Sequence, residues 1–123
     1  MTLTALQDDF TVCRLNDAAQ ADLRVPFSFL SATDDEISLV CPTHAVPADA
    51  THAKHGWRAL KIEGELDFSL IGVIARISGL LAADGISVFV VSTYNTDYIL
   101  VQAHNIQAAA AALTSGGYAL RNL

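Results

Sequence analysis

The sequence repeats itself at a spacing of half its length, and this repeat strongly limits the folds that the chain can adopt. A shift of 61 residues places FSFLSATDDEISLV (27–40) over VFVVSTYNTDYILV (88–101). The aligned pairs are Ser31 and Ser92, Glu36 and Asp97, Leu39 and Leu100, Val40 and Val101, and farther along Trp57 and Tyr118. Both copies run from an apolar segment through a polar turn and an acid to a second apolar segment. The pattern predicts a β-hairpin in each half and therefore two related units.

The segments around the hairpins predict strands and two helices. Seven short segments rich in β-branched and aromatic residues are the predicted strands: 9–16, 26–33, 36–41, 57–64, 85–93, 97–103 and 118–123. Apolar residues recur every three or four positions in SLIGVIARISGLLAADG (69–85), which predicts a helix capped by Asp67 or Ser69 and ended by Gly85. The alanine-rich segment NIQAAAAALTSGG (105–117) predicts a second helix that starts at Asn105.

From Trp57 onward the predicted order is strand, helix, strand, strand, helix, strand. This order is typical of an α+β ferredoxin-like unit, with an antiparallel sheet and both helices on one face. Only NDAAQADLRVP joins the first two strands of the first copy, so that copy is predicted to be degenerate. The predicted division is residues 1–55 and 56–123. Seven strands for two four-stranded units imply a shared or exchanged strand, either Trp57–Glu63 or Tyr118–Leu123.

Composition excludes several classes of function. The chain has 123 residues, only seven Lys and Arg, and a formal net charge of −6, which argues against unaided nucleic-acid binding. The segment MTLTALQDDF lacks a signal-peptide pattern, and no apolar stretch approaches a membrane span, so we expect a cytoplasmic protein. Cys13 and Cys41 lie in apolar strands and are predicted to be reduced core residues.

Catalytic and metal-binding patterns are sparse. The sequence contains no nucleophile elbow, phosphate-binding loop or zinc-protease motif. His52 and His55 could present two metal ligands if they were helical, but solvated histidines in a linker (42–56) are the favoured interpretation. Asp34, Asp35 and Glu36 are interpreted as a hydrated hairpin turn. We therefore predict no catalytic residue, no metal and no cofactor.

The segment between the fourth predicted strand and the first helix has a more specific pattern. A helix start carries unpaired N–H groups that attract a carboxylate, while Glu63, Glu65 and Asp67 could hold an ammonium or guanidinium group. Both ends of an amino acid could be satisfied there. A simpler interpretation, which the residues favour equally, is that Asp67 only caps the helix.

The residues GWRALKIEGELDFSLIGVIARISGLLAADGISVFVVSTYNTDYILV (56–101) resemble the small ACT-domain proteins, in particular the aspartate-kinase regulatory region and the CASTOR-type arginine sensors. The segment FSFLSATDDEISLVCP (27–42) resembles a degenerate ACT unit before it. The resemblance implies a ligand site formed by the first strand–helix loop, the following strand and an acid near the hairpin. The residues at these positions are Glu65, Leu66, Asp67, Phe68, Ser69, Ile86, Ser87, Val88 and Asp97.

The resemblance implies a non-enzymatic regulatory module that binds a small amino-acid-like effector at an interface between ACT units or subunits. The sequence shows no catalytic domain for such an effector to regulate, so the expected partners are a second copy of the chain, as a homodimer, and a separate protein target. The alternative is an assembly module whose sheets pair between chains and which binds no metabolite. An enzyme is the third choice.

Overall fold

A computed structural model describes residues 1–64 and 71–123, and it divides the chain into two compact units. Met1–Gln7 and Arg58–Leu123 form one, here called the helical unit; Asp8–Trp57 form the other, here called the sheet unit. The strands are β1 (Thr2–Ala5), β2 (Phe10–Leu15), β3 (Phe29–Ala32), β4 (Ile37–Pro42), β5 (His52–Ile62), β6 (Phe89–Ser92), β7 (Asp97–Gln102) and β8 (Ala119–Arg121). The helices are α1 (Val73–Ala83) and α2 (Ile106–Ser115).

The sheet of the helical unit has the strand order β6-β7-β5-β1-β8. If β1 is set aside, this is the ferredoxin-like order, which confirms the α+β prediction. The sequence pattern does not predict β1, because TLTA is short and has one strongly apolar residue. That residue, Leu3, is fully buried and lies opposite Ile62 on the antiparallel strand β5. β1 also pairs with β8, and this pair is parallel, so the sheet is not wholly antiparallel.

Both helices pack into one core with the strands of the helical unit. Ile77 and Leu81 on α1 join Ala109 and Leu113 on α2 in a cluster that also contains Leu60 from β5. These helix positions are three or four residues apart, as an amphipathic helix requires. Burial of this stripe stabilises both helices, since isolated helices of ten or eleven residues are marginal in water.

The helix ends agree in part with the predictions. Gly85 has φ +72° and ends α1, and the N–H of Ile86 donates to the carbonyl of Leu81, as predicted for a left-handed terminal glycine. The predicted cap of α1 is wrong: the helix begins at Val73 after Gly72, which has φ +81° and no side chain to cap with. Asn105 does precede α2, but its side chain makes no capping hydrogen bond.

The sheet unit keeps four strands without α-helices. Its strand order is β3-β4-β2-β5, to which β5 contributes residues 52–57. Short 3-10 turns at Ala18–Gln20 and Thr43–Ala45 stand in its connections. Its core cluster contains four buried residues: Cys13, Leu15, Leu39 and Cys41.

The repeat is real in the structure, but its register is 60 residues and not 61. Strand β3 begins at Phe29 and β6 at Phe89, while β4 begins at Ile37 and β7 at Asp97. The N–H of Thr33 donates to the carbonyl of Glu36, and the N–H of Thr93 donates to that of Thr96, both over 2.9 Å.

The equivalences Ser31 with Ser92 and Glu36 with Asp97 are therefore wrong by one residue, and so are the two hydrophobic pairs of the alignment. The equivalence of Trp57 with Tyr118, which lies outside the hairpins, stays a prediction. Glu36 corresponds to Thr96. A shift of 61 aligns more identical residues, such as the two serines. The threonines that close the two turns, Thr33 and Thr93, are 60 residues apart, and they set the hairpin geometry.

The segment predicted as a linker is partly a strand. β5 starts at His52, so His52 and His55 lie on extended backbone. The helical arrangement in which these two side chains could share a metal therefore does not occur. His55 instead contacts Thr11: the distance from its Nδ1 to the buried Thr11 Oγ1 is 2.8 Å.

Candidate functional site

The β6–β7 hairpin is attached to the end of β5 by one buried side chain. The hydroxyl of Thr96, 3% exposed, donates to the carbonyl of Ile62 over 2.8 Å. Asp97 follows at the start of β7, is half-buried, and lies opposite Ser92 on β6. The predicted acid therefore lies at the end of the sheet where β5 leads into the strand–helix connection.

Ile86, Ser87 and Val88 lie at the other end of α1. The hydrogen bond from Ile86 to Leu81 places them beside the last turn of the helix. They precede β6, so the prediction that they belong to that strand is wrong. The side chain of Ile86 is buried in the core, and Ser87 is exposed. An α-helix of eleven residues is about 16 Å long, so a ligand of amino-acid size cannot contact both ends within one unit.

The remaining predicted ligand residues, Glu65, Asp67, Phe68 and Ser69, lie outside the described residues, as does Leu66. The described flanks show where this segment starts and ends. The N–H of Glu63 donates to the carbonyl of Thr2 over 2.9 Å, and Gly72 precedes α1. The segment thus connects the end of β5 to the start of α1.

A cavity of about 320 Å³ opens at the start of α1. Its walls come from the beginning of α1, from the segment after α2 and from the first residue of the chain: Met1, Ile71, Gly72, Val73, Arg76, Gly116, Gly117 and Tyr118. The N–H of Ala119 donates to the carbonyl of Met1, which holds these walls together next to the pair formed by Thr2 and Glu63. The cavity is therefore at the same end of the unit as Asp97.

Arg76 is the one charged side chain in the described lining of this cavity. Its Nη2 donates to the carbonyl of Gly116 over 2.6 Å, and its guanidinium carbon lies 5.6 Å from the centre of the Tyr118 ring, within cation–π range. An added Cβ at position 116 would meet the end of the Leu80 side chain, which would then have to shift. Among the described lining residues there is no acidic side chain to neutralise the guanidinium.

The sheet unit contains both cysteines and the acidic turn, and it has a cavity of about 280 Å³ lined in part by Arg14, Glu36 and His52. Burial raises the pKa of the Cys13 thiol, and burial together with repulsion from Cys13 raises the pKa of Cys41 to about 11. Both thiols are thus protonated at neutral pH, which supports the prediction that they are structural. Asp34 and Asp35 lie in an exposed turn, as predicted, with the N–H of Asp35 donating to the hydroxyl of Thr33.

Two further findings concern function classes. No group of three or more His, Cys, Asp or Glu side chains that could hold a metal occurs within residues 1–64 and 71–123. Among the helices that the structure describes, none combines the length and the apolar character needed to cross a bilayer.

Sequence reasoning did not single out Arg76, Gly116 or Tyr118. A signal was present, because Arg76 is the only basic residue in the segment predicted as the first helix, and Gly116 and Gly117 directly precede Tyr118. The missing information was that α1 and α2 pack so that the start of the first meets the end of the second.

Comparison with known proteins identifies the family. A model of the ACT domain matches residues 52–115, which is more than half of the chain. The match covers all of β6, β7 and both helices.

Individual relatives agree with this match. The protein "Cytosolic arginine sensor for mTORC1 subunit 1" from Rattus norvegicus is 33% identical over an 84-residue alignment that covers 63% of this chain and 25% of the relative. The chain thus spans about a quarter of the length of the curated relatives that it matches.

Solved structures extend the similarity to nearly the whole chain. Protein Atu0741 from Agobacterium tumefaciens is 32% identical, with a TM-score of 0.85, over 97% of this chain and 90% of that chain. The regulatory subunit of aspartate kinase from Thermus thermophilus has a TM-score of 0.65 at 11% identity, over 94% and 96% of the two chains, and shows a shared fold.

Proposed function

The chain belongs to the ACT-domain family, and from this premise we propose that it is a non-enzymatic regulatory module that binds a small amino-acid-like effector. The observation that carries the proposal is the cavity at the start of α1. Its volume of about 320 Å³ lies within the usual range of small-molecule sites, and it borders the strand–helix connection in which the resemblance places the effector. The name of the rat relative, an arginine sensor, supports the same class of ligand.

The separation of the predicted ligand residues supports a site at an interface. Asp97 lies toward the start of α1, to which the segment with Glu65, Asp67, Phe68 and Ser69 leads along the chain, whereas Ile86, Ser87 and Val88 lie about 16 Å away at the end of this helix. One effector can contact both groups only if a second unit brings the far group of residues to the near end of the first. We therefore propose a homodimer, in which the partner copy completes the site.

Regulation then follows from linkage. An effector that binds one arrangement of the paired units more tightly than another shifts the population toward that arrangement. A separate protein that recognises only one arrangement would respond to effector concentration. We propose this mode of action in the cytoplasm, as the name of the cytosolic relative supports.

A thermal-shift screen of the purified chain against the twenty amino acids tests the proposal. A ligand at one hundred times its dissociation constant stabilises the native state by about 2.7 kcal/mol, so at least one amino acid at millimolar concentration should raise the melting temperature by several degrees. If no amino acid changes the melting temperature, the effector proposal fails.

The second candidate is an assembly module without a metabolite. Ile71 and Met1, 95% and 53% exposed, both line the cavity, and neighbouring exposed apolar side chains can form a surface that another chain covers. Analytical ultracentrifugation distinguishes the candidates. Stable dimerisation that is abolished by Ile71→Ser, together with no response to any amino acid, would favour assembly.

A further inference from the structure

We propose that the cavity at the start of α1 holds a carboxylate and that Arg76 is the residue that binds it. The inference rests on the proposed function and adds the chemical class of the ligand: a small carboxylic acid with an aliphatic part. Neither Arg76 nor the cavity belongs to the residues that the ACT resemblance assigns to the effector.

The first reason to expect a carboxylate is the charge of the cavity. Arg76 is the one charged side chain in the described lining, and one of its five N–H donors is used by the carbonyl of Gly116. A guanidinium binds a carboxylate through two parallel hydrogen bonds, and such charge-assisted bonds are the strong ones. A cationic or uncharged head group would gain less at this position.

The position of Arg76 carries the second step. The hydrogen bond to Gly116 and the contact with the Tyr118 ring hold the guanidinium on the cavity wall before any ligand arrives. A side chain that is already ordered loses less conformational entropy on binding, so more of the interaction appears as affinity. Surface arginines without such contacts do not have this advantage.

The apolar walls of the cavity indicate that the ligand has an aliphatic part. Ile71, 95% exposed, and Met1, 53% exposed, stand at the cavity, and the half-buried Val73 lies beside them. Covering these side chains with the aliphatic part of a ligand removes apolar surface from water, which is favourable in proportion to the area. The combination of a guanidinium and aliphatic walls fits an acid such as isovalerate or the amino acid leucine.

Calorimetric titration of the full chain with three matched probes tests the ligand class. Isovalerate has the carboxylate without the ammonium group, leucinamide has the ammonium group without the carboxylate, and L-leucine has both. We expect isovalerate and leucine to bind and leucinamide to bind at least about tenfold more weakly. If leucinamide matches leucine, or if neither acid binds, the inference is overturned. The proposed function survives that result if another amino acid binds in the thermal-shift screen.

Substitutions test the role of Arg76. We expect Arg76→Gln to weaken isovalerate binding roughly tenfold to a hundredfold, and Arg76→Lys to weaken it less because the charge remains. Arg121→Gln is the control, since Arg121 is exposed on β8 and does not line the cavity. An affinity of Arg76→Gln within twofold of the wild type contradicts the role.

A measurement on the unaltered protein covers the case in which Arg76→Gln fails to fold. Isovalerate should shift the NMR signals of the Arg76 Nε–H group and of the Gly116 and Gly117 amides at ligand concentrations that saturate the calorimetric signal. Saturating ligand without shifts at these three positions would place the ligand elsewhere and refute the inference.

Discussion

The helical unit and the sheet unit share a strand order and a hairpin turn but differ in what covers their sheets. The order β3-β4-β2-β5 in the sheet unit matches β6-β7-β5-β8 in the helical unit once β1 is set aside. Two α-helices in one unit correspond to short 3-10 turns and loops in the other.

The consequence appears in the core. The buried cluster around Leu113 contains thirteen described residues, whereas the cluster around Leu39 contains four. Strand patterning alone thus preserves the sheet order. A cavity of about 280 Å³ also occurs in the sheet unit, lined in part by Arg14, Glu36 and His52. The helical unit differs in that the ends of two helices hold the Arg76 guanidinium at its cavity, and for this reason we expect the ligand there.

Replacing one core leucine in each unit by alanine should change the free energy of unfolding more than any other test of this comparison. Leu113 and Leu39 are 0% and 1% exposed. We expect Leu113→Ala to lower the free energy of unfolding by about 3–5 kcal/mol and Leu39→Ala by about 2–3 kcal/mol, because the smaller core leaves a cavity that relaxes more easily. Urea denaturation measures both. A larger loss for Leu39→Ala would show that the sheet unit has the more tightly packed core.

The buried thiols give the sheet unit a distinct alkaline sensitivity. Because burial raises the pKa of Cys41 to about 11, the unfolded state loses this proton near pH 9 while the folded state keeps it. The protonated Cys41 thiol therefore stabilises the folded state fully below pH 9. As the pH rises to 11, the free energy of unfolding falls by an amount on the order of 2 kcal/mol.

Denaturation of the wild type and of Cys41→Ala at pH 7, 9, 10 and 11 measures this contribution. Above pH 9, the free energy of unfolding of the wild type should fall steadily relative to that of Cys41→Ala. A difference that is constant with pH would show that Cys41 titrates alike in both states.

Two glycines test how tightly α1 and α2 pack in the helical unit. At Gly116 a Cβ would meet the end of the Leu80 side chain, which can shift, so we expect Gly116→Ala to destabilise the protein by about 1 kcal/mol through overpacking. Gly79 is the control: it lies within α1, and nothing is within 4 Å of an added Cβ. Gly79→Ala should stabilise the protein by about 0.5–1 kcal/mol, since alanine is the better helix former. Thermal unfolding distinguishes these opposite signs.

The two hairpins give the finest comparison. Thr96 and Glu36 are equivalent in the repeat, but only the first is buried and bonded to the strand beside it. Thr96→Val should lower stability by about 1–2 kcal/mol, because the carbonyl of Ile62 loses its buried donor. Glu36→Val on the exposed turn should change stability by no more than about 0.5 kcal/mol. Equal effects in chemical denaturation would mean that the Thr96 hydroxyl does not attach the hairpin.

The fold was predictable from the sequence to the extent that its signals are local. The alternating strands, the amphipathic stripe ending at Gly85 and the hairpin turns each depend on a few neighbouring residues. The strand β1 was not predictable, because it depends on pairing with β5 and β8, which are distant in sequence. The repeat was aligned one residue out of register for a similar reason: the amino-acid sequence does not show which threonine makes the hydrogen bond that closes each turn.

The candidate site was less predictable than the fold. The resemblance assigned nine residues, and the structure places the described ones toward the two ends of α1. Arg76 gave no strong signal, because its importance depends on the carbonyl of Gly116 and the ring of Tyr118, forty residues or more along the chain. Contacts of this kind follow from helix packing and not from local pattern.

Effector binding at the start of α1 is tested most directly by an amide NMR titration of the full chain with the amino acid that gives the largest thermal shift. We expect the shifted signals to concentrate in the helical unit, at residues 71–76, at Asp97 and at residues 116–118, while signals from residues 8–57 stay unchanged. Shifts concentrated in the sheet unit, with the start of α1 unaffected, would contradict the claim that the helix-bearing ACT unit binds the effector.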